Sequence, residues 1–463
     1  MARKQVIYGA DDTPPLPLMA LAGAQHVLTL FGATTLVPLI LGPAMGMNPE
    51  QVAKFIGCVY FGMGVATLIQ THPRFGSGLP IVQGSSFSFM PPIMTIIGAY
   101  GASGPETVMQ YVGGGLIVGG AILALVGYSG LAGAVRRFIT PVVIGPTIMA
   151  IGFSLAGTAV ETASQFWPVS LLVVLLIFIF SLVVKNKTVH IFAILSAIAA
   201  AYLVCAAASR AGWVGEGHPI YVSFQNVADA PVWRTDIFMP WGAPKFSFLA
   251  IGALLAGFFA VMIESIGDYH SCSYVSGLDD PTPATISRGI GAEGLNCALS
   301  GLLGSVGTTS YTENIGLISL TGVASRNVVR AGAVLLIGMS LLGKLGALVA
   351  TMPGPVIGGA YIALFGTIGA LGIQVLLRAD MGSQRNVLIV GFAFLMAMGL
   401  PNWVGQESVQ KLFTDPSRGP ILSTVGGMVW AILKTPMAVA GLCAALGDSL
   451  APGTDEERGI AGA

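Results

Sequence analysis

Ser310-Tyr311-Thr312-Glu313-Asn314-Ile315-Gly316 sets a carboxylate and an amide between apolar segments, with no partner for either nearby in the chain. The residues leading into it, Thr308-Thr309-Ser310-Tyr311, favour extended backbone because β-branched and aromatic side chains fit a pleated surface. Those that follow, Asn314 to Leu320, suit a short helix with Thr312 or Asn314 as its cap. In lipid an unpaired backbone group is costly, so such a break is tolerated only inside protein or along a cavity. A helix beginning there presents free N–H groups and a positive dipole end to a ligand. With the ionisable Glu313 at that depth, the stretch is expected to be a substrate site.

The surrounding composition supports that depth. Of 463 residues, 54% are hydrophobic and only 9% charged, and the mean hydropathy is +0.80. A soluble domain carries about a quarter charged residues, so this is a polytopic membrane protein. The formal net charge is zero, which gives no reason to expect nucleic acid as a partner. Cys58, Cys205, Cys272, Cys297 and Cys443 are scattered and have neither metal-ligand nor disulfide-framework spacing. No metal or cofactor is expected. The Met-Ala-Arg-Lys start leads into a polar, Pro-rich approach and does not read as a cleavable signal peptide.

Apolar runs near the roughly 20 residues that a helix needs to cross lipid fall at 16–41, 52–70, 106–128, 140–158, 167–184, 188–208, 247–272, 286–304, 327–351, 355–377, 384–400 and 420–434. Two further segments, 80–99 and 308–322, are too polar and broken to be ordinary spans. Counting both, the chain reads as an all-α bundle of about fourteen crossings. Arg3, Lys4, Arg74, Arg136, Arg137, Lys185, Lys187, Arg288, Arg326, Arg330, Arg378, Arg385 and Lys434 fall in alternate connections, so both termini are expected in the cytoplasm.

The broken spans are each third in their half of the chain. Pro141-Val142-Val143-Ile144-Gly145 is echoed by Pro355-Val356-Ile357-Gly358-Gly359. Seven crossings per half is odd, so the second half is inverted relative to the first. Paired interrupted helices in inverted repeats are the pattern of secondary transporters. The loop at 209–246, with Trp213, Pro231, Trp233, Pro240 and Trp241, is expected to be ordered and extracytoplasmic and to hold a hairpin. From about 448 onward the chain reads as a short disordered tail.

Glu264 and Asp268 lie inside one apolar run, four residues apart and so on one helix face. Two neighbouring carboxylates in low dielectric repel, so one of them is expected to take up a proton near neutrality. Glu293 is a further buried acid, and His26 is placed to bond to one of these carboxylates. Each has a plainer reading as well: Asp268 at a helix end, Glu293 as an acceptor between helices, His26 as a packing residue. Lys344 either pairs with a carboxylate or snorkels outward, and is not assigned to the site. Gln83-Gly84-Ser85-Ser86-Phe87 would meet the opening stretch from the other side, adding donors, acceptors and an aromatic face. Such a set suits a small planar heterocycle bearing N–H and C=O groups.

Taken together, Glu313-Asn314-Ile315-Gly316 followed by Thr321-Gly322, the Gln83–Phe87 run, Gln25-His26, Glu264, Gly343-Lys344-Leu345 and Pro355–Gly359 resemble the nucleobase/ascorbate transporter family over about residues 8 to 435. The resemblance implies a core domain (16–128 and 247–351) and a gate domain (132–208 and 355–434), with an N-terminal segment 1–15 and a cytoplasmic tail 435–463. It implies a proton symporter in the cell membrane that imports a nucleobase, commonly as a homodimer, in contact with lipid. Glu264, Glu313, Asn314, Phe87, Ser86, Thr312 and Gln83 would bind substrate; Glu264, Asp268, His26 and Glu293 would couple protons. Glu313 with Asn314-Ile315-Gly316 looks like the uracil permeases, whereas Asp268, Glu293 and Thr321-Gly322-Val323-Ala324-Ser325-Arg326 look like the xanthine branch. Uracil is favoured because position 313 would touch the base. An anion exchanger of similar fold and an intramembrane enzyme are the rival classes. The first is opposed by the acid cluster, the second by the lack of a nucleophile–base or metal-ligand arrangement.

Overall fold

Proline at the first or second helical position opens many of the long helices, where its missing N–H is no loss and its fixed φ suits the first turn. The structure, a computed structural model, describes residues 6–132, 139–185, 192–415, 417 and 420–459. Of the basic residues used to set the orientation, Arg3, Lys4, Arg136, Arg137 and Lys187 lie outside these. In chain order the elements begin with α1 (Leu16–Ala44), α2 (Pro49–Gln70), β1 (Gln83–Ser85), a 3₁₀ turn (Phe87–Phe89), α3 (Met90–Tyr100) and α4 (Pro105–Tyr128). Next come α5 (Pro141–Ser154), α6 (Ala156–Ser164), α7 (Trp167–Phe178), α8 (Ala193–Arg210), α9 (Gln225–Asp229), α10 (Phe248–Val275) and α11 (Pro283–Leu302). The rest are β2 (Thr308–Ser310), α12 (Thr312–Thr321), α13 (Arg326–Ser340), α14 (Gly343–Ala350), α15 (Gly354–Leu376), α16 (Gln384–Val404), α17 (Glu407–Thr414), α18 (Pro420–Leu433), α19 (Pro436–Leu450) and α20 (Asp455–Arg458).

Among the described residues, eight helices are long and apolar enough to cross a membrane: α1, α2, α4, α5 continued by α6, α8, α10, α15 and α16. Val425–Leu433 with α19, bent by 90°, makes up to nine.

Lipid supplies no hydrophobic drive between helices, so close backbone approach has to supply the contact. The α4–α11 seam shows this. A Cβ on Gly120 would sit 2.6 Å from the Gly294 carbonyl, and one on Gly127 only 2.1 Å from the Gly291 nitrogen. On α15, a Cβ at Gly358 would meet the Ala163 nitrogen at 2.3 Å, so α6 packs directly on its backbone.

Both interrupted spans are strand-then-helix units. Gln83 pairs with Ser310, Gly84 with Thr309 and Ser85 with Thr308, antiparallel. The ladder is extended by Ser86 N–H to Gly307 O (3.0 Å) and Tyr311 N–H to Val82 O (3.0 Å). Gly84 is required here: a Cβ would lie 2.0 Å from the Tyr311 ring. Pro38 inside α1 lacks the N–H that would bond Thr34 O, and the Ser85 hydroxyl donates to that carbonyl at 3.2 Å. The first helix is thereby tied to the strands.

Three expectations need correction. The run at 327–351 is not one helix; it breaks between α13 and α14, where the loop takes over the backbone bonds of the gap through Arg234 N–H to Leu341 O at 2.8 Å and Gly343 N–H to Val232 O at 3.1 Å. The loop at 209–246 holds α9 and, among the described residues, no hairpin. The residues after 434 are a packed helix to Leu450, with Met437, Ala438, Val439 and Ala440 buried. Within it, Asp448 accepts from Thr140 (3.0 Å), Arg385 (2.9 Å) and Arg458 (2.9 Å), and beyond it Thr454 caps α20. The partners of Asp448 lie up to 308 residues away in sequence, out of reach of a local reading.

Candidate functional site

Because β1 and β2 run antiparallel and each leads into a helix, the N-terminal ends of α3 and α12 converge on the strand pair from opposite ends. Beside this crossing lies a cavity of about 270 Å³. One wall is Ser85, Phe87, Thr309, Ser310, Tyr311, Thr312 and Glu313, with Glu264, Gly267, Asp268 and Ser271 of α10 beside them. Ile144 and Ile148 of α5 and Ile368, Leu371, Gln374 and Val375 of α15 face them, with Arg378 just beyond α15. Gln374 and Arg378 are exposed and mark the mouth.

Of the expected site residues, Glu264, Glu313, Asp268, Phe87 and Thr312 all line this cavity. The α10 helix places Glu264 and Asp268 one turn apart on its inner face. Glu264 Oε2 lies 3.5 Å from the Ser88 hydroxyl. Asp268 Oδ1 accepts from the Thr312 hydroxyl at 2.8 Å, and its Oδ2 is buried without a partner among the described residues. The N-cap position of α12 is Tyr311, with no side-chain cap bond. Thr312 and Asn314, expected as caps, sit inside the helix because their side chains are committed elsewhere.

Asn314 points away from the cavity: its amide donates to His26 O at 3.0 Å and lies 3.0 Å from His26 Nδ1. His26 is accordingly a partner of Asn314 and not of a carboxylate. Gln83 is fully buried behind the strands, donating to Ser310 Oγ (3.0 Å) and Glu293 Oε1 (3.2 Å). Ser86 accepts from Ser88 N–H and starts the 3₁₀ turn. Glu293, 0% exposed, is a hub. Its Oε1 accepts from Ser310 (2.8 Å), Ser265 (2.9 Å), Tyr269 (3.2 Å) and Gln83 (3.2 Å). Lys344 is remote; its ammonium donates to Val227 O and Ala228 O in the long loop.

Among the described residues no group of three or more His, Cys, Asp and Glu side chains could hold a metal ion. The chemistry on offer is hydrogen bonding by carboxylates and hydroxyls against one aromatic face.

Comparison with known proteins identifies the scaffold. The model of a permease family, Xan_ur_permease, matches residues 18–405. Solute carrier family 23 member 2 of Rattus norvegicus is 32% identical, with 99% of this chain and 76% of that protein covered. This chain belongs to that permease family, the nucleobase/ascorbate transporters.

Nucleobase-ascorbate transporter 12 of Arabidopsis thaliana is a further relative of the permease, 30% identical over 98% of this chain and 71% of its own. In fold the permease resembles the transmembrane domain of a cyanobacterial bicarbonate transporter, BicA (TM-score 0.57, 14% identity, 92% of this chain and 99% of that chain). It also resembles SLC26A9 (TM-score 0.58, 9% identity, 82% and 62%). The permease is a multi-pass membrane transporter of mostly helical fold.

Sequence reasoning missed the second wall, Ile144, Ile148, Ile368, Leu371 and Gln374, together with Arg378 at the mouth. These residues are apolar or conventional in type and lie far from Glu264 in the chain. The one pointer was the pair of Pro-Val-Ile-Gly echoes, of which the first contains Ile144. Tyr311 was quoted without a role; it lines the cavity while its ring covers Gly84.

Proposed function

We propose that this permease imports a nucleobase, with uracil preferred, by proton symport. The observation that carries the reading is that Glu264 and Glu313 line one small cavity beside Phe87, where two interrupted helices begin. A planar base of uracil size can stack on Phe87 while its N–H groups donate to the two carboxylates and its carbonyls accept from hydroxyls or N–H groups at the start of α12. Glu264, Glu313, Phe87 and Thr312 hold substrate. Asn314, Gln83, Ser86, Glu293 and His26 hold the frame. Protonation of Glu264, with Asp268 beside it, favours binding on the outer side, and release of that proton inside weakens it.

The chain makes about fourteen crossings as two inverted sets of seven. The core domain, 16–128 and 247–351, moves against the gate domain, 132–208 and 355–434, with α19 joining the gate through its contacts with α5 and α16. Both termini are cytoplasmic in the inner membrane, and gate domains pair in a homodimer.

A second reading, xanthine or another purine, is favoured by Asp268, which lines the cavity one turn from Glu264. Anion transport, the activity named for the BicA and SLC26A9 structures, is disfavoured by three carboxylates in the cavity wall. Uptake of labelled uracil and xanthine into vesicles, with cross-competition and a protonophore control, tests the proposal. Uptake of neither base, or uptake indifferent to the protonophore, overturns it.

A further inference from the structure

A second cavity, of about 650 Å³, lies where α1, α6 and α15 meet, lined in part by Leu39, Pro43, Glu161, Gln165 and Tyr361. Between it and the site cavity stands one face of α15, because Tyr361, Phe365 and Ile368 are spaced i, i+4 and i+7. Tyr361 borders the second cavity and Ile368 lines the first. The Tyr361 and Phe365 rings are stacked, 5.2 Å apart with planes 7° from parallel. Phe365 in turn meets Phe87 edge-on at 5.6 Å. All three rings are buried. At the far end, the Tyr361 hydroxyl donates to Leu36 O of α1 at 2.5 Å.

We propose that Tyr361 is the positioning residue that holds the site cavity shut toward the second cavity: its hydroxyl latches α15 to α1, and its ring holds Phe365 against Phe87. Each part has a distinct task. The Phe365 ring stands between Tyr361, which borders the second cavity, and Phe87, which lines the first, so parting it from Phe87 would open the way between them. The hydroxyl bond joins two helices that, on the transport reading, belong to bodies moving against each other; the latch rests on that reading. Phe87 touches both the cavity and Phe365, so a solute seated on Phe87 bears directly on the latch. When the bond breaks, α15 can separate from α1, the second cavity opens into the first, and the other mouth, at Gln374 and Arg378, is free to close.

The test is side-specific labelling of the full-length protein in membranes. A reporter cysteine, Ile368→Cys, is placed in the site cavity and exposed to a membrane-impermeant maleimide, applied to intact cells or to inside-out vesicles. Labelling of the protein without the reporter is subtracted; four of its five cysteines are buried. With Tyr361→Phe, which keeps the ring and removes only the hydroxyl, labelling from the second-cavity side should rise about five-fold, the population shift one net neutral hydrogen bond supports. Labelling from the other side should fall. Phe365→Leu, which keeps the hydroxyl and removes the ring, should shift both rates in the same directions. Unchanged rates in both variants, or equal rises on both faces, overturn the proposal. The readout needs no substrate, so failure of uracil and xanthine uptake with a one-sided labelling shift would count against the substrate reading alone.

Discussion

The Asn314 amide donates to the His26 carbonyl at 3.0 Å and lies 3.0 Å from the same residue's Nδ1, fastening the start of α12 to the middle of α1 across 288 positions of sequence. An NH₂ group only donates, so Nδ1 accepts and the neutral imidazole carries its proton on Nε2. Asn314→Ala removes both bonds and leaves the buried ring nitrogen unpaired, while the His26 carbonyl keeps its place in the helical ladder of α1. The expected cost is about 1–3 kcal/mol, read as a lower thermal midpoint in detergent. A variant with unchanged midpoint and a raised KM for base would show that Asn314 touches substrate instead.

Glu293 is a comparable case with a sharper test. Its Oε1 serves the donors, while Oε2 has no partner among the described residues. Glu293→Gln keeps one acceptor oxygen and is expected to preserve folding and base binding. Glu293→Ala strips acceptors from Ser265, Ser310, Tyr269 and Gln83 together, with a loss of at least about 3 kcal/mol. Binding isotherms and thermal melts on the two variants distinguish a frame residue from a proton carrier, for which Gln would abolish concentrative uptake.

Glu264 and Glu313 share a cavity but are assigned different tasks. Glu264→Gln should abolish accumulation against a gradient while leaving base exchange, measured as counterflow; proton-dependent accumulation by this variant would refute the assignment. Glu313→Gln replaces one acceptor oxygen with a donor in the cavity wall. Its competition profile across uracil, xanthine and other bases should change by about ten-fold or more for at least one base, since a lost or mispaired buried hydrogen bond costs about 1–3 kcal/mol.

The long loop carries a pH-dependent anchor. Asp236 lies 3.0 Å from Lys54 Nζ and 3.2 Å from Arg234 Nε. Burial alone would raise its carboxyl; the Lys54 hydrogen bond and the charges of Arg234 and Lys54 outweigh that and hold it below the ordinary value of 3.8. A depressed folded value means the contribution is present above the unfolded value and is lost as pH falls through the folded one. The difference in loop protection from protease between wild type and Asp236→Asn should therefore be present at neutral pH, decline below about pH 3.8 and vanish once pH has fallen through the lower folded value.

The interrupted spans were legible because their signals are local. Thr308-Thr309 favours extension, the 80–99 run is too polar and broken for an ordinary span, and an acid inside an apolar run marks a cavity. Glu264 and Asp268 were legible as a pair because helical spacing alone puts them on one face. The duties of Asn314, His26, Gln83 and Glu293 were not. A buried amide or carboxylate can serve a ligand or a neighbouring helix equally well, and the choice depends on which donors arrive from elsewhere. The C-terminal helix escaped for the same reason: the burial of Asp448 makes sense only beside Arg385 and Arg458.

Composition and the polar interruptions were enough to establish a membrane bundle with two strand-interrupted segments, since lipid allows no other way to place such residues. Whether a polar side chain faces the cavity or the frame, which apolar wall closes the cavity, and that Tyr361 reaches Leu36 were decided only when helices far apart in the chain came into contact. Hydrogen-bond partners and ring contacts depend on distances of a few ångströms, and sequence separation carries no such metric.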